Sequence, residues 1–546
     1  MKGTGHIKLY EHQKRALAGM GLHDVGKVIM PTGTGKTYVQ ASYISDRMKL
    51  QSCISDRIKE SGSTPKVYVV VAPVIVLTYQ LATEYNELFT STGVFPNYLY
   101  VHSGTPGDVE ALNEARAIYN EGNLDVSSGT NPLAIRKEIN DSLDEGKSIV
   151  IFSTYKSLGR VETAVRLNSE GRRSVDCVIF DEAHNLVEEK PFEQMKKFKK
   201  LCEKVFFFTA TEKHTKHGPL GMNNEEVYGS GAFTMQASEA IQTGFSVRPR
   251  AHILTSDNDE YTSKDLEKSI SSITYKAVKE HEKALAIEAK ESDLERPPRA
   301  AKLLVTTKGS AYIEETLASK EIQSLIDEGY EIFAISSEYG AVINRIDNVF
   351  DRVEWLQDLK KKCKDPEQKL VVLHIDILAE GIDASGFTGV LLFRGVGKSK
   401  FLQTFGRISR LDNRDRQNIH VEKTITPSEL GKMYKPFAYV MFVELTDGSK
   451  EMSSRFKEYI DILRTLGMDS RDYIVGNIKG KKNTDPPEDG LLVNPAVAPG
   501  SNLTSKYGKI IKDLLAELEA AEDASCLLDK LSEPAPASSL ASAIWE

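Results

Sequence analysis

The sequence predicts an α/β protein with two doubly wound parallel sheets. Three observations lead there. Short β-branched runs recur along the chain, each run is apolar throughout with no polar alternation, and helix-length segments separate them. Continuous apolar runs suit strands covered on both faces, and parallel strands need a crossover helix between them. In the first half the runs are Val25–Met30, Val67–Ala72, Ser148–Ser153, Val175–Phe180 and Lys204–Phe208. In the second they are Lys302–Thr306, Glu331–Ile335, Leu370–Ile375, Val390–Phe393 and Tyr439–Glu444. Segments such as Lys36–Leu50 and Ala311–Glu328 read as the crossover helices.

Punctuation sets the domain boundaries. Residues 1–250 form the first sheet domain, with a Gly-, Asn-, Ser- and Asp-rich surface insertion at 103–147. Residues 251–300 read as a charged helical connector that ends near Pro297-Pro298, and 301–446 as the second sheet domain. A C-terminal extension and linker follow at 447–502, then a short helix and low-complexity tail at 503–546. A chain of 546 residues is too long for one core.

Composition is that of an ordinary globular protein, 40% hydrophobic and 27% charged. A net charge of −8 gives no global signal for a polyanionic partner. A local groove on an otherwise acidic surface still suffices for one. The five cysteines lie far apart with no metal-ligand spacing. They read as reduced thiols, and no window approaches the ~20 apolar residues of a membrane span, so a soluble intracellular protein is expected.

Two motifs carry chemistry. In the first, a strand runs into Pro31-Thr32-Gly33-Thr34-Gly35-Lys36-Thr37 and then a helix. Gly33 and Gly35 let backbone wrap a phosphate that a Cβ would obstruct, and the N–H groups at the helix start cradle an anion. Lys36 is placed to reach β- and γ-phosphates, and Thr37 to ligate Mg²⁺. In the second motif, the strand Val175–Phe180 ends in Asp181-Glu182-Ala183-His184. Carboxylates at the C-terminal edge of a parallel sheet face its ligand site. Asp181 is assigned to the metal and Glu182 to the attacking water.

With these motifs in order, the chain resembles a superfamily 2 helicase of the DEAH-box type over roughly residues 7–445, close to phage recombination helicases and restriction-enzyme motor subunits. The resemblance implies two RecA-like domains of the P-loop NTPase class, ATP and Mg²⁺ as cofactors, and DNA as the partner. It implies Gln13 as the adenine reader. His184 and Thr209-Ala210-Thr211 resemble the elements that couple hydrolysis to strand movement. Asp376–Asp383 looks like motif V, with Gly381 and Asp383 toward ATP and Ile377 and Leu378 toward nucleic acid. Gln403-Thr404-Phe405-Gly406-Arg407-Ile408-Ser409-Arg410 looks like motif VI, with Gln403, Arg407 and Arg410 acting on the γ-phosphate across a domain interface. Further strand contacts are implied at Pro73, Gln80, Ser153, Thr154, Tyr155, Thr306 and Thr307. Tyr155 and Phe405 read equally as base-stacking or core aromatics.

Other readings remain open on the sequence alone. One is the motor subunit of a restriction or repair nuclease, and another is an RNA helicase. A third is a binding module that uses ATP only as a switch, against which the complete hydrolytic motifs argue. The Lys-rich runs Met195–Lys200 and Lys360–Lys364 read as solvated helix faces before nucleic-acid grooves. Leu540, Ile544 and Trp545 in the tail form a candidate protein-docking peptide.

Overall fold

The structure, a computed structural model, describes residues 9–58, 65–119, 127–169, 175–215, 218–255, 270–307, 309–336, 338–375, 386–393, 397–443, 450–466, 468 and 473–477. The first sheet has β1 (Val25–Ile29), β2 (Val67–Ala72), β3 (Asn97–Val101), β4 (Ser127–Gly129), β5 (Ile149–Thr154), β6 (Val175–Phe180), β7 (Cys202–Thr209) and β8 (Ser230–Thr234). Their order is β4-β3-β5-β2-β6-β7-β1-β8, and every pair is parallel.

The second sheet contains β9 (Arg248–Thr255), β10 (Lys302–Thr306), β11 (Tyr330–Ser336), β12 (Gly340–Ile343), β13 (Val349–Phe350), β14 (Lys369–His374), β15 (Gly389–Leu392), β16 (Phe437–Val443) and β17 (Tyr473–Asn477). The order is β13-β12-β11-β14-β10-β15-β16-β9-β17, parallel except where β12 turns back on β11 and β13 on β12.

The expected burial on both faces is present. Along β2, Val67, Val69 and Val71 enter one apolar cluster and Tyr68, Val70 and Ala72 enter the other. Successive side chains point to opposite faces, so six consecutive apolar residues serve two cores at once. The second sheet is packed the same way: on β16, Ala438, Val440 and Phe442 face one cluster and Tyr439, Met441 and Val443 the other.

Four expectations need correction. The stretch at 103–147 is no mere surface excursion. It holds helices Pro106–Tyr119 and Pro132–Asp144 and the edge strand β4. Residues 251–300 are not a separate connector either. Strand β9 pairs with β16 and β17 inside the second sheet, and helix Ile270–Lys290 buries Ile273, Ala277 and Leu285 in that sheet's core. The sheet also continues past residue 446, because β17 returns beside β9 after helix Lys450–Thr465. The expected helix Ala311–Glu328 is in fact two, Ser310–Leu317 and Lys320–Asp327. Ser319 breaks them by accepting the Ile322 N–H at 3.2 Å, an N-cap that restarts the helix. The calls on 503–546, including Leu540, Ile544 and Trp545, lie outside the described residues.

A short tether joins the two lobes. Helix Ala237–Gln242 sends Ala240 into the first core and packs Ala237 on the second. Phe245 N–H donates back to Ala240 O at 2.7 Å, while Val247 N–H donates to Ser409 O at 2.8 Å in the second lobe. His420, also in the second lobe, contacts Gly244 O at 2.7 Å. No helix among the described residues is long and apolar enough to cross a membrane.

Candidate active site

Strand β1 pairs with β7 so that Ile29 lies beside Thr209, and Met30 N–H donates to Thr209 O at 3.0 Å. The chain then turns through Gly33 at φ +85° and Gly35 at φ +83° into the helix Lys36–Ile58. Both are left-handed conformations that a side chain resists, and a Cβ on Gly35 would lie 2.3 Å from Gln13 Nε2. Pro31 O accepts the Thr34 hydroxyl at 2.7 Å, and Lys36 Nζ donates to Met30 O at 3.2 Å. The loop is thus pre-shaped, with the Lys36 ammonium folded back across it.

Gln13, on helix Glu11–Gly21, reaches this loop. Its Nε2 donates to Thr34 O at 3.2 Å and its Oε1 accepts the Tyr10 N–H at 2.9 Å. His12 Nε2 reaches the same Thr34 carbonyl at 2.8 Å. Beside them Tyr10, His12, Phe245 and His420 form an aromatic nest, with Phe245 and His420 stacked at 4.3 Å.

Asp181 continues β6, its N–H donating to Val71 O at 2.8 Å. Its Oδ1 accepts from Gln40 Nε2 at 2.8 Å, and Tyr85 steadies Gln40 from behind at 3.2 Å. Burial pushes the Asp181 carboxyl up to about 7, the neighbouring Glu182 adds to this, and Lys36 opposes it. Such a group is poised to ionise when a cation arrives. Glu182 is held at φ +48°, a strained position for a side-chain-bearing residue. Its Oε2 is buried without a hydrogen-bond partner, 3.4 Å from His184 Nδ1.

His184 ties three motifs together. Its Nδ1 lies 3.0 Å from Thr209 Oγ1, and its Nε2 lies 3.2 Å from Gln403 Nε2 across the lobe boundary. Burial lowers its pKa, which keeps the ring neutral. A neutral ring satisfies every partner in one direction. Gln403 donates to Nε2, Nδ1–H donates to Thr209, and Thr209 donates to Thr211 O at 2.9 Å.

The second lobe presents helix Lys398–Ile408 to the loop. A Cβ on Gly406 would come 2.7 Å from Thr32 Cβ, so the two lobes touch there. Arg410 Cγ lies 3.9 Å from where a Gly33 Cβ would stand. Arg407 is on the same helix. Motif VI and the glycine loop, nearly 370 residues apart in sequence, therefore meet. A cavity of about 360 Å³ continues behind this contact, lined by Thr32, Ala210, Thr211, Phe405 and Gly406 among others.

Sequence reading missed Glu84, Gln40 and Tyr85. Glu84 hydrogen-bonds Thr37, accepts from Gln80 Nε2 at 2.8 Å and feels the charge of Arg410. Burial, the largest influence, raises its pKa. Gln40 carried a readable signal, since it lies one helical turn after Lys36 on the same face. Glu84 carried none.

The proposed strand contacts divide. Pro73 and Gln80 are partly exposed. Ser153, Thr154, Tyr155, Thr306 and Thr307 are buried. Tyr155 donates to Asp181 O at 2.5 Å and stacks on Phe180, so it braces the acidic motif and presents no face to a base. Thr154 bonds Ser157 at 3.2 Å, and Thr307 N–H donates to His374 O at 2.9 Å. Phe405 is core. Ile377, Leu378, Gly381 and Asp383 lie outside the described residues. In the Lys-rich run Met195–Lys200, Met195 and Phe198 are buried and Lys196 and Lys197 are not, the pattern of a solvated helix face.

A protein-family profile described as "Type III restriction enzyme, res subunit" matches residues 6–214. No curated protein matches the chain. Among solved structures, the ATP-dependent Type ISP restriction-modification enzyme LlaBIII bound to DNA aligns with a TM-score of 0.59 at 17% identity. It covers 88% of this chain and 32% of its own. A nuclease-deletion mutant of the Type ISP enzyme LlaGI, in complex with a DNA substrate mimic, aligns at 0.50 and 16%, covering 85% and 29%. This chain thus spans about a third of the length of those solved chains. The res-subunit profile lies on the first lobe, and the two lobes together share the fold of the LlaBIII chain.

Proposed function

We propose that the chain is an ATP-dependent translocase or helicase that acts on DNA. The observation that carries this reading is the meeting of the two motifs: Gly406 against Thr32 and Arg410 against Gly33, with Gln403 bonded to His184 beside them. A nucleotide on the loop would have its terminal phosphoryl between Lys36 of one lobe and Arg410 of the other. Arg407 is assigned beside Arg410. Glu182, with a free carboxylate oxygen, is assigned to orient and deprotonate the attacking water. Thr37 and Asp181 would hold a Mg²⁺ ion, which supplies neutralisation of phosphate charge. Gln13 is placed to read the base edge.

The bridge Gln403–His184–Thr209 supports the coupling role. When the lobes part, Gln403 leaves His184, and the Thr209-Ala210-Thr211 turn loses its restraint. DNA is favoured over RNA because the fold matches with the higher TM-scores are DNA-bound restriction-modification enzymes. The motor subunit of a restriction or repair nuclease is the second reading, favoured by the res-subunit profile on the first lobe.

The test is ATP turnover by the full chain with no polynucleotide, single-stranded DNA, duplex, forked DNA or RNA. Stimulation by DNA above RNA is expected, with log rate falling as salt rises because backbone phosphates are gripped. Equal turnover with and without polynucleotide would sink the motor. Preferential stimulation by RNA would move the substrate.

A further inference from the structure

A second cluster of positive charge lies away from the glycine loop, at the rim of the second sheet where its strands begin. A cavity of about 340 Å³ opens there. Among the described residues, Arg299, Lys302, Lys364, Arg414 and Lys435 line it, with Asp412 as the one carboxylate. Lys302 starts β10 and Lys435 lies two residues before β16, whereas Thr306 and Thr307 are at the opposite rim.

Cations outnumber carboxylates on the described lining. Asp412 is committed to Arg414 by two bonds of 2.9 Å. Glu288 serves both Arg299, at 2.8 and 3.0 Å, and Arg296, at 3.2 Å. The Lys302 ammonium meets only neutral acceptors, the carbonyls of Lys362, Cys363 and Asp365. Lys435 is 4% exposed, and its ammonium makes one hydrogen bond, to Arg410 O at 2.8 Å. Asp415 spends its two oxygens on the main-chain N–H groups of Tyr434 and Lys435, at 2.8 Å each. The cavity floor is tight backbone: Gly386 stands at φ +118°, and a Cβ there would lie 2.0 Å from Cys363 O.

We propose that this cavity is a binding site for a small dianion, inorganic phosphate or a phosphomonoester, separate from the loop at Lys36. Lys435 is a buried ammonium with one hydrogen bond on a lining where cations outnumber carboxylates, and an anion with several acceptor oxygens would offset that excess charge. Burial, followed by the charge of Arg299, brings the Lys435 pKa down to about 7, against the opposing pull of Asp412 and Asp415. Because Lys435 also holds the Arg410 carbonyl, an occupied site bears on the arginine that faces the first lobe.

The test uses the full chain with Lys36→Ala, so that the glycine loop contributes least to phosphate binding. Inorganic phosphate at about 100 times its dissociation constant is expected to raise the Tm by several degrees, and titration calorimetry to show one site. Adding Lys364→Glu, an exposed change at the rim that spares the core, should weaken that binding at least tenfold. Lys435→Met should abolish it. The proposal fails if Lys36→Ala alone removes phosphate binding, or if Lys364→Glu leaves it intact. Displacement of phosphate by a short single-stranded oligonucleotide would assign the cavity to the nucleic-acid path and overturn the small-ligand reading.

Discussion

Replacing Arg410 by alanine is expected to cut ATP hydrolysis by about 10³–10⁵-fold, the range over which arginine fingers act. Its side chain lies against Gly33 and its charge acts on Glu84, so it already occupies the neighbourhood a γ-phosphate would take. The transition state of phosphoryl transfer spreads charge over peripheral oxygens, and a fixed guanidinium neutralises it without reorganising water. The loss should fall on kcat. Nucleotide affinity, set by the loop, should change far less. Lys36→Ala is the matched change in the other lobe and should abolish turnover while the chain stays folded. Steady-state turnover at saturating DNA, with nucleotide binding measured separately, checks both. A loss in Arg410→Ala confined to KM would mean that the arginine only helps bind ATP. Wild-type turnover in Lys36→Ala would remove the site altogether.

A different residue governs stability. Glu288→Ala is expected to destabilise the second lobe by about 3–5 kcal/mol, the usual result of deleting one partner of a buried ionic group. Glu288 is 3% exposed and is bonded to Arg296, Arg299 and the Tyr439 hydroxyl, the last at 3.0 Å. Its removal strands two guanidinium groups and a buried phenol at once. Urea unfolding followed by a probe in the second lobe should show an earlier midpoint, while the first lobe's transition holds its place. A shift under about 1 kcal/mol would show that water or a neighbouring acceptor replaces the carboxylate.

Much of this was legible in the sequence because buried parallel strands announce themselves. The ten apolar runs read from the sequence are ten of the strands, and the glycine loop and Asp181-Glu182 sit at the strand ends where they were expected. Part of what escaped was polar or short. Strand β4 is Ser127–Gly129, with no apolar residue to betray it. Strand β9 carries Arg248, Pro249 and Arg250 and looks like a connector, yet it is held between β16 and β17 by main-chain bonds that no side-chain pattern encodes. Tyr155, Thr306 and Thr307 match nucleic-acid motifs as residue types, but the direction of a side chain is decided by packing. Tyr155 turns inward because the Asp181 carbonyl needs a donor. Glu84 was invisible for the converse reason: its role exists only after helix Ile75–Thr92 has been laid beside the helix that follows the glycine loop.

The splice at 243–247 sets what kind of swing the molecule can make. Its amide groups at Phe245 and Ser246 are fastened to the Ala240 carbonyl, while its other partners, Ser409 and His420, belong to the far lobe. A segment gripped from both ends behaves as a pivot pin: twisting about it costs little, and sliding along it breaks several bonds together. Since Ser409 sits between Arg407 and Arg410, the pin and the finger belong to one rigid block. An opening of the cleft about Gly244 would therefore carry Arg410 along with Ser409.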